Sequence, residues 1–403
     1  MKITLIAGAR PNFMKIAPLI KAIQAAEAAG KDIHYRLVHT GQHYDKNMSD
    51  TFFEELGIPM PDVNLGCGGG TQAEQTANIM VAFEQDLMQN PTDIVLVVGD
   101  VTSTMACSIV AKKLNTKVCH VEAGIRSWDQ TMPEEINRMV TDALADYMFT
   151  TSDFANDNLK KLGAEIQQPQ QQYQQLATES TSSVAQEDNI PYAALTFKRI
   201  PQKVWWVGNV MIDTLLANRS RFRKPEVYNT LRLEEKQYVV MTMHRPANVD
   251  EQEHLKALME QIISNVHGLP IIFPIHPRTA KLFYNLWGDE EQLAKLFPNL
   301  HIVDPMGYLE FNYLVERAKA VVTDSGGITE ETTVMGVPCI TLRDNTERPE
   351  TCTVGTNMLI GTKPEAIKPA LDKLFAGEWK QGAIPALWDG HTAERIVEIL
   401  LGL

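Results

Sequence analysis

Two carboxylates follow neighbouring apolar runs of the sequence, each at the point where its run ends. Asp100 comes directly after one run and Glu122 directly after the next. Because parallel strands end at one edge of a sheet, and ligands bind at that edge, we expect both side chains to face one site. Glu134 and Glu135 follow at the start of a helical pattern. Carboxylates that converge on one rim raise the pKa of some members, which suits general acid/base chemistry.

Each of these positions also has a structural interpretation. Asp100 could cap the helix that follows it, and the paired glutamates suit the positive end of a helix. His244 ends a later apolar run, where it could be catalytic or structural. His276 and Arg278 stand in the equivalent place one strand further on and are candidate substrate-binding residues.

Two stretches of the chain have the residue types that bind anions. In the first, Gly8 ends an apolar run, and Arg10 and Lys15 place two cations beside the N-terminus of the following helix. The alternative is a joint between strand and helix with solvated charges. The second stretch is DSGGITEE, a turn that exposes backbone N–H groups before a helix, so that phosphate could bind there. Its turn residues are Ser325, Gly326 and Gly327.

Further polar residues surround this second stretch. Glu331 lies one turn into the helix, where a carboxylate can accept both hydroxyls of a ribose. Arg343 and Arg348 follow the next apolar run and flank the same rim. The alternative is a capped helix with surface charges.

Short apolar runs alternate with amphipathic stretches along the whole chain. Runs of Val, Ile and Leu arranged in this way are typical of parallel strands covered on both faces. The first series of predicted strands is Ile3–Gly8, Tyr35–Gly41, Asp93–Asp100, Lys117–Gly124 and Tyr147–Ser152. The second series is Tyr238–Arg245, Pro270–Pro277, Leu300–Pro305, Ala320–Gly327 and Pro338–Asp344. The sequence therefore predicts an α/β protein with two similar sheets and a cleft between them.

Composition marks the predicted limits of the two domains. Residues 165–198 are rich in Gln and then in Ser and Thr, which predicts a surface insertion in the first domain. The motif RKPEV interrupts a helical pattern, so we place the domains at residues 1–220 and 221–403.

Overall composition excludes several classes of protein. The 403 residues are enough for two domains, and the net charge of -13 argues against a nucleic-acid partner. The five cysteines include no CxxC, which argues against a disulfide framework or a zinc site and favours a reducing, cytoplasmic location. The first apolar run is too short to span a membrane. The dinucleotide motif GxGxxG is absent, which argues against a dinucleotide cofactor.

The ordered motifs of this chain resemble those of the bacterial UDP-N-acetylglucosamine 2-epimerases of the non-hydrolysing type. They are GARPNFMKIAPL, HTGQHYD, VVGDVTST, HVEAGIRS, MPEEINR, VGNVMID, HRPANVD, DSGGITEE and RDNTERPE. The resemblance covers nearly the whole chain. It implies two Rossmann-like domains in the GT-B architecture with a site in the interdomain cleft. It also implies a C-terminal helix that packs back on the first domain, a homodimer, and no need for metal or nicotinamide.

The resemblance also implies roles for individual residues. The catalytic positions are matched by Asp100, Glu122, Glu134 and His244. The UDP-binding positions are matched by Arg10, Lys15, Ser325, Gly326, Gly327, Glu331 and Arg348. A second, activating UDP-sugar site of some relatives is matched by Gln42, His43, Arg245 and His276.

The implied reaction inverts C2 of the sugar. Removal of the C2 proton is coupled to departure of UDP from C1, which gives a 2-acetamidoglucal, and UDP then adds back while C2 is reprotonated on the other face. Two acid/base groups and cations beside the diphosphate are therefore needed.

The chain departs from the common family pattern in three places. It has Asn12–Phe13 after the RP motif, Pro246–Ala247 after the HR motif, and the Gln/Ser-rich insertion. The first two changes leave UDP-2,3-diacetamido-glucuronic acid open as an alternative substrate. Three different functions also stay open, namely a GT-B glycosyltransferase, a hydrolysing epimerase and a non-catalytic nucleotide-sugar sensor.

Overall fold

The structure is a computed structural model that describes residues 1–42, 55–167, 202–275 and 277–403. These residues form two compact units. Unit 1 contains the described residues of 1–44 and 60–209 together with His391–Leu403, and unit 2 contains those of 45–59 and of 210–390. The predicted boundary at residues 220 and 221 lies within unit 2. The predicted insertion lies outside the described residues from residue 168 onward.

Unit 1 is built on one parallel sheet of eight strands. The strands are β1 (Lys2–Ala7), β2 (His34–His39), β3 (Val63–Asn64), β4 (Ile94–Val98), β5 (Lys117–Val121), β6 (Tyr147–Thr150), β7 (Glu165–Ile166) and β8 (Lys203–Trp206). Their order across the sheet is β3-β2-β1-β4-β5-β6-β8-β7. The connection from β3 back to β4 reverses the direction of winding, so a topological switch point lies between β1 and β4.

Helices cover the sheet of unit 1. They are α1 (Arg10–Ala28), α2 (Gln72–Gln89), α3 (Thr102–Lys113), α4 (Pro133–Leu144), α5 (Asp153–Lys161) and the C-terminal α16 (Thr392–Leu401). In α2 the buried residues Ile79, Phe83 and Leu87 recur every four residues, which gives the helix one apolar face for the core. α16 packs against α1, at the other end of the sequence.

Unit 2 repeats the same architecture with a parallel sheet of six strands. The strands are β9 (Val239–Thr242), β10 (Ile271–Pro274), β11 (Leu300–Val303), β12 (Ala320–Thr323), β13 (Cys339–Thr341) and β14 (Asn357–Leu359). Their order is β11-β10-β9-β12-β13-β14, which places the switch point between β9 and β12.

The helices of unit 2 flank this sheet. They are α6 (Val210–Asn218), α7 (Glu226–Thr230), α8 (Pro246–Val249), α9 (Gln252–Asn265), α10 (Pro277–Trp287), α11 (Glu290–Leu296), α12 (Tyr308–Arg317), α13 (Gly326–Met335), α14 (Pro349–Thr353) and α15 (Ile367–Phe375). In α9 the residues Leu255, Leu258, Met259 and Ile262 lie on one face and are fully buried with the strands of the sheet. The apolar runs of the sequence form strands whose two faces are covered by helices. The prediction of two parallel α/β domains is confirmed.

Candidate active site

The two carboxylates predicted at strand ends occupy adjacent positions in unit 1. β4 and β5 are neighbours in register, with Val98 opposite Val121, so Asp100 and Glu122 leave the same edge of the sheet beside the switch point. This placement follows from the strand order, and it is the edge at which open α/β sheets bind ligands.

Glu122 is buried and bonded to a cation. The Nζ atom of Lys15 donates to its Oε2 atom at 2.5 Å, and only 3% of the surface of Glu122 is exposed. Glu122 has a φ of +70°, a left-handed conformation that is unfavourable for a residue with a side chain. The sequence predicted Lys15 as an anion-binding residue, and in this structure the anion that it contacts is a carboxylate of the site itself.

Asp100 is held by residues of α4. Arg138 forms an ion pair with its carboxylate, and the side-chain amide of Asn137 donates to its backbone carbonyl at 2.8 Å. The same guanidinium donates to Glu135 at 3.1 Å. Arg138 therefore links two carboxylates and stabilises negative charge at the end of β4.

The two adjacent glutamates at the start of α4 have different environments. Glu134 is exposed, whereas Glu135 is fully buried. The Glu135 carboxylate accepts from the Ser127 N–H at 2.9 Å and from the Trp128 N–H at 3.3 Å, so it fixes the loop that follows Glu122. Sequence reasoning missed this role, although Glu135 and Arg138 are spaced for one helix face.

The turn after β1 is held by Asn12, one of the departures from the family pattern. Its side-chain oxygen accepts from the N–H groups of Gly8 and Ala9, both at 3.1 Å, and its amide donates to the Val98 carbonyl at 2.9 Å. A Cβ atom at Gly8 would lie 2.1 Å from the hydroxyl oxygen of Ser103, which explains the glycine. Asn12 is buried, and the hydrogen bonds described for its side chain all join backbone groups, so it fixes the backbone of this turn.

Three residues predicted near this turn differ in how far the structure describes them. The backbone of Arg10 begins α1, but its side chain lies outside the described atoms, and His43 lies outside the described residues. The Gln42 side chain accepts from the Ser103 hydroxyl at 2.8 Å, so it lies beside the first turn of α3.

Unit 2 places His244 and Arg245 around a buried carboxylate that the sequence did not single out. Asp324 accepts from the N–H groups of His244 and Arg245 at 3.0 and 2.8 Å and from the side-chain amide of Asn248 at 3.1 Å. The Nδ1 atom of His244 lies 3.0 Å from the carboxylate, while 59% of the histidine side chain is exposed. Burial raises the pKa of Asp324, but the hydrogen bond and charge of His244 and the two N–H groups outweigh it, so the pKa is lowered.

The predicted phosphate-binding turn opens α13. Ser325 occupies the N-cap position in an extended conformation, and Gly326 and Gly327 are the first two helical residues. A Cβ atom at Gly326 would lie 3.6 Å from Nη1 of Arg343, which itself pairs with Glu347 at 2.8 Å. The start of α13 thus combines N–H groups at the positive end of a helix dipole with a nearby guanidinium, which together favour an anion.

Glu331 is buried one turn further along α13. Burial raises its pKa from 4.5 to about 7, and the negative charge of Glu330 adds to the rise, while contact with Tyr308 and Asn312 lowers it. The Tyr308 pKa is raised as well, first by burial and then by the charge of Glu331. Glu330 forms an ion pair with Arg348, and both side chains are buried.

Two predicted site residues of unit 2 cannot be placed in this network. His276 lies outside the described residues, and the side chain of Arg278 lies outside the described atoms. Within the described ranges, no group of three or more His, Cys, Asp or Glu residues could hold a metal ion. In the same ranges no helix is long and apolar enough to cross a membrane.

The strand ends of unit 1 present carboxylates paired with cations, and unit 2 presents a helix N-terminus with arginine and glutamate beside it. Together with two doubly wound sheets, these features define an α/β enzyme of the nucleotide-binding class.

Comparison with known proteins identifies the family. The chain matches the family described as UDP-N-acetylglucosamine 2-epimerase over residues 25–171 and 179–401. It is 37% identical over 410 residues to the UDP-N-acetylglucosamine 2-epimerase of Methanocaldococcus jannaschii, with 99% of each chain covered. It is 35% identical over 404 residues to the UDP-2,3-diacetamido-2,3-dideoxy-D-glucuronate 2-epimerase of Pseudomonas aeruginosa, with 100% of each chain covered.

A solved structure gives the same result. The crystal structure of the Methanocaldococcus jannaschii UDP-GlcNAc 2-epimerase in complex with UDP-GlcNAc and UDP has 36% identity and a TM-score of 0.80, with 100% of both chains covered. The chain therefore belongs to the UDP-N-acetylglucosamine 2-epimerase family.

Proposed function

We propose that this enzyme interconverts UDP-N-acetylglucosamine and UDP-N-acetylmannosamine by inversion at C2. The observation that carries the proposal is the pair of carboxylates at neighbouring strand ends, Asp100 and Glu122, each bonded to its own cation. Inversion needs a proton to leave one face of C2 and another to arrive on the opposite face, so two separate acid/base groups are required. The full-length similarity to relatives of this name supports the choice of substrate.

We propose an elimination and re-addition of UDP as the mechanism. One base takes the C2 proton, the C2–H electrons form the C1–C2 double bond, and the C1–O bond breaks with its electrons on the departing diphosphate. In the return step a phosphate oxygen attacks C1 while an acid delivers a proton to C2 from the other face. Asp100, Glu122, Glu134 and His244 are the candidate acids and bases of these two steps.

The residues of unit 2 fit the UDP part of the substrate. The N–H groups at Ser325, Gly326 and Gly327 would hold phosphate oxygens, and Arg348 would stabilise the diphosphate as negative charge develops on it. Glu331 would accept the ribose hydroxyls. Arg10 and Lys15 remain proposed contacts of the diphosphate, and Gln42, His43, Arg245 and His276 remain a proposed activating site.

A second candidate substrate rests on a specific observation. The diacetamido-uronic acid 2-epimerase of Pseudomonas aeruginosa is similar over the full length of the chain. The same C2 chemistry would apply, and only the groups on C3 and C5 of the sugar differ. We rank this substrate second because the match to the Methanocaldococcus jannaschii enzyme is slightly higher.

The test is proton NMR in deuterated water with each UDP-sugar in turn. UDP-N-acetylmannosamine with deuterium at C2 is the expected product from UDP-N-acetylglucosamine. Free N-acetylmannosamine as the first product would indicate the hydrolysing type, and turnover of the diacetamido sugar alone would establish the second candidate. Glu122→Gln should stop exchange at C2 while UDP affinity changes less than about threefold, because the lost group acts in the transition state at C2 and not on the UDP moiety. Lost UDP binding would instead make Glu122 structural.

We further propose a homodimer formed through unit 1. The helix α4 buries polar residues and exposes Ile136 and Met139, which are 43% and 40% exposed. The helix α2 exposes Val81 and Met88, and both helices pack against α3. Exposed apolar side chains on two helices that flank a third are typical of a protein–protein interface.

A further inference from the structure

Glu122 needs outside support to keep its backbone conformation. Its φ of +70° is unfavourable for any residue with a side chain, and such conformations persist only where the surroundings hold them. The next glycine, Gly124, also has a positive φ, and a Cβ atom there would lie 2.4 Å from the Ala155 carbonyl oxygen. The loop after β5 therefore has little freedom, and some group must fix it.

A fully buried carboxylate, Asp142 on α4, contacts the chain on both sides of Glu122. One oxygen lies 2.6 Å from Nδ1 of His120, two residues before Glu122. The other accepts from the Gly124 N–H at 3.0 Å, two residues after it, and from Arg126 at 2.7 Å. Asp142 thus clamps the segment that presents Glu122.

The same network reaches the turn that carries Asp100. The Nε2 atom of His120 lies 2.8 Å from the carbonyl oxygen of Gly99. A carbonyl oxygen only accepts, so Nε2 donates to it. Since Gly99 immediately precedes Asp100, His120 connects the end of β4 to the end of β5.

The hydrogen bonds around His120 engage both of its ring nitrogens. Nδ1 faces the Asp142 carboxylate and Nε2 faces the Gly99 carbonyl. Burial raises the pKa of Asp142, but the charges and hydrogen bonds of His120 and Arg126 outweigh it, so the pKa is lowered. The ring therefore joins the buried carboxylate to the end of β4.

We propose that Asp142, acting through His120, is the positioning residue of the epimerase reaction. It sets the separation of Asp100 and Glu122 by holding the Gly99 carbonyl and the loop from Glu122 to Gly124 with one buried ion cluster. Two carboxylates that exchange protons with opposite faces of one carbon need a fixed separation, because a small misplacement costs much of the rate. This inference rests on the proposed function.

A second buried carboxylate, close to Asp142 in the sequence, provides a matched control. Asp146, just after α4, is also buried, pairs with Lys112 at 2.7 Å, and accepts from the Val118 N–H at 2.8 Å. It holds the beginning of β5, whereas Asp142 holds its end. If Asp142 acted only as a structural residue, loss of either carboxylate would have the same kind of effect.

The experiment compares Asp142→Asn with Asp146→Asn, and kcat is expressed per UDP-binding site so that unfolded protein is not counted. We expect Asp142→Asn to lower kcat on the order of 100-fold with UDP affinity changed less than about threefold. Asp146→Asn should lower the melting temperature but keep kcat within about threefold of wild type. Equal kcat in the two folded variants would overturn the proposal.

Two further measurements keep the proposal testable if Asp142→Asn does not fold. His120→Gln removes one of the two hydrogen bonds and should lower kcat in the same way, and an unchanged kcat would overturn the proposal. Nitrogen NMR of the wild-type His120 ring should show both ring nitrogens in hydrogen bonds, and a ring nitrogen without a hydrogen bond would overturn it. Wild-type enzyme that binds UDP but does not turn over UDP-N-acetylglucosamine would refute the proposed function, while the ring measurement would still test the cluster.

Discussion

Glu331 makes the stability of unit 2 depend on pH. Its folded pKa of about 7 lies above its ordinary 4.5, so the folded state holds the proton more tightly than the unfolded state does. This contribution to the free energy of unfolding is complete below pH 4.5, the pKa of Glu331 in the unfolded state. It is lost as the pH rises through about 7, the pKa in the folded state. Glu331→Gln stays neutral, so its free energy of unfolding relative to wild type should rise by about 3 kcal/mol between pH 4 and pH 8.

Urea unfolding at a series of pH values measures this difference. Glu260→Gln is the control, because Glu260 is exposed on α9 and its change should leave the pH profile of wild type intact. Parallel profiles for wild type and Glu331→Gln would show that Glu331 is not a buried proton-binding group.

Arg348 has a double role that two variants can separate. Its guanidinium pairs with the buried Glu330, so Arg348→Ala should destabilise the protein by about 3 kcal/mol. It should also weaken UDP binding by about 1.5–3 kcal/mol, the contribution of a charged hydrogen bond. Adding Glu330→Gln should restore much of the stability but not the affinity, as measured by calorimetry. An affinity that returns with stability would exclude Arg348 from the UDP site.

At the scale of elements, Asn12 joins the start of α1 to the end of β4. Asn12→Ala removes one acceptor shared by two backbone N–H groups and one donor to the Val98 carbonyl. We expect the free energy of unfolding to fall by about 1–3 kcal/mol, because buried backbone groups lose their partners. Turnover should fall as well, since Lys15 lies one turn further along α1.

Chemical denaturation and turnover assays measure both effects of Asn12→Ala. Asn90→Ala is the matched control, because Asn90 is exposed at the end of α2 and bonds only locally to Asp86 among the contacts described. It should change stability by less than about 0.5 kcal/mol. A similar loss in both variants would show that the turn after β1 does not depend on Asn12.

Ten of the strands were predictable from sequence because each is a short apolar run. The short strands β3, β7, β8 and β14 were not predicted. The positions of Asp100 and Glu122 followed from the same runs, since parallel strands end together. Asp324 was missed because its partners are backbone N–H groups that only the strand order brings near. The role of Asn12 was missed because its bond to the Val98 carbonyl depends on the neighbouring positions of β1 and β4. Glu135 and Asp142 carried a usable signal, because both lie on one face of α4. Glu135 was considered only as an acid/base group or a partner of the helix dipole, and Asp142 was not considered.

α4 has its polar and apolar sides reversed relative to most surface helices. Its buried side carries Glu135, Arg138 and Asp142, which hold the loops of the candidate catalytic carboxylates, and its exposed side carries Ile136 and Met139. A buried side that consists of ion pairs contributes less to stability than an apolar one, because desolvation offsets the attraction of the charges. We therefore expect a second subunit to cover the exposed side of α4 and so to hold the helix in place.

At the scale of the whole molecule, the exposed apolar side of α4 predicts that dimer formation and catalytic activity are linked. A double variant, Ile136→Lys with Met139→Lys, should convert the proposed homodimer into a species with the 45.1 kDa mass of one chain, as measured by light scattering. Its kcat should also fall, because α4 positions Asp100 through Arg138 and the double variant would remove the contacts that cover the exposed side of this helix. Val354→Lys is the control, since Val354 is an exposed apolar residue of unit 2, and it should leave both mass and kcat unchanged.

The outcome of the mass measurement decides which surface holds α4 in place. A wild-type enzyme with the mass of one chain at micromolar concentration would contradict the dimer, and a double variant that stays dimeric would place the interface elsewhere. Dissociation with full kcat would show that the ion pairs beneath α4 fix the helix without help. A joint loss of dimer and kcat would mean that one short helix transmits the state of the assembly to both strand-end carboxylates.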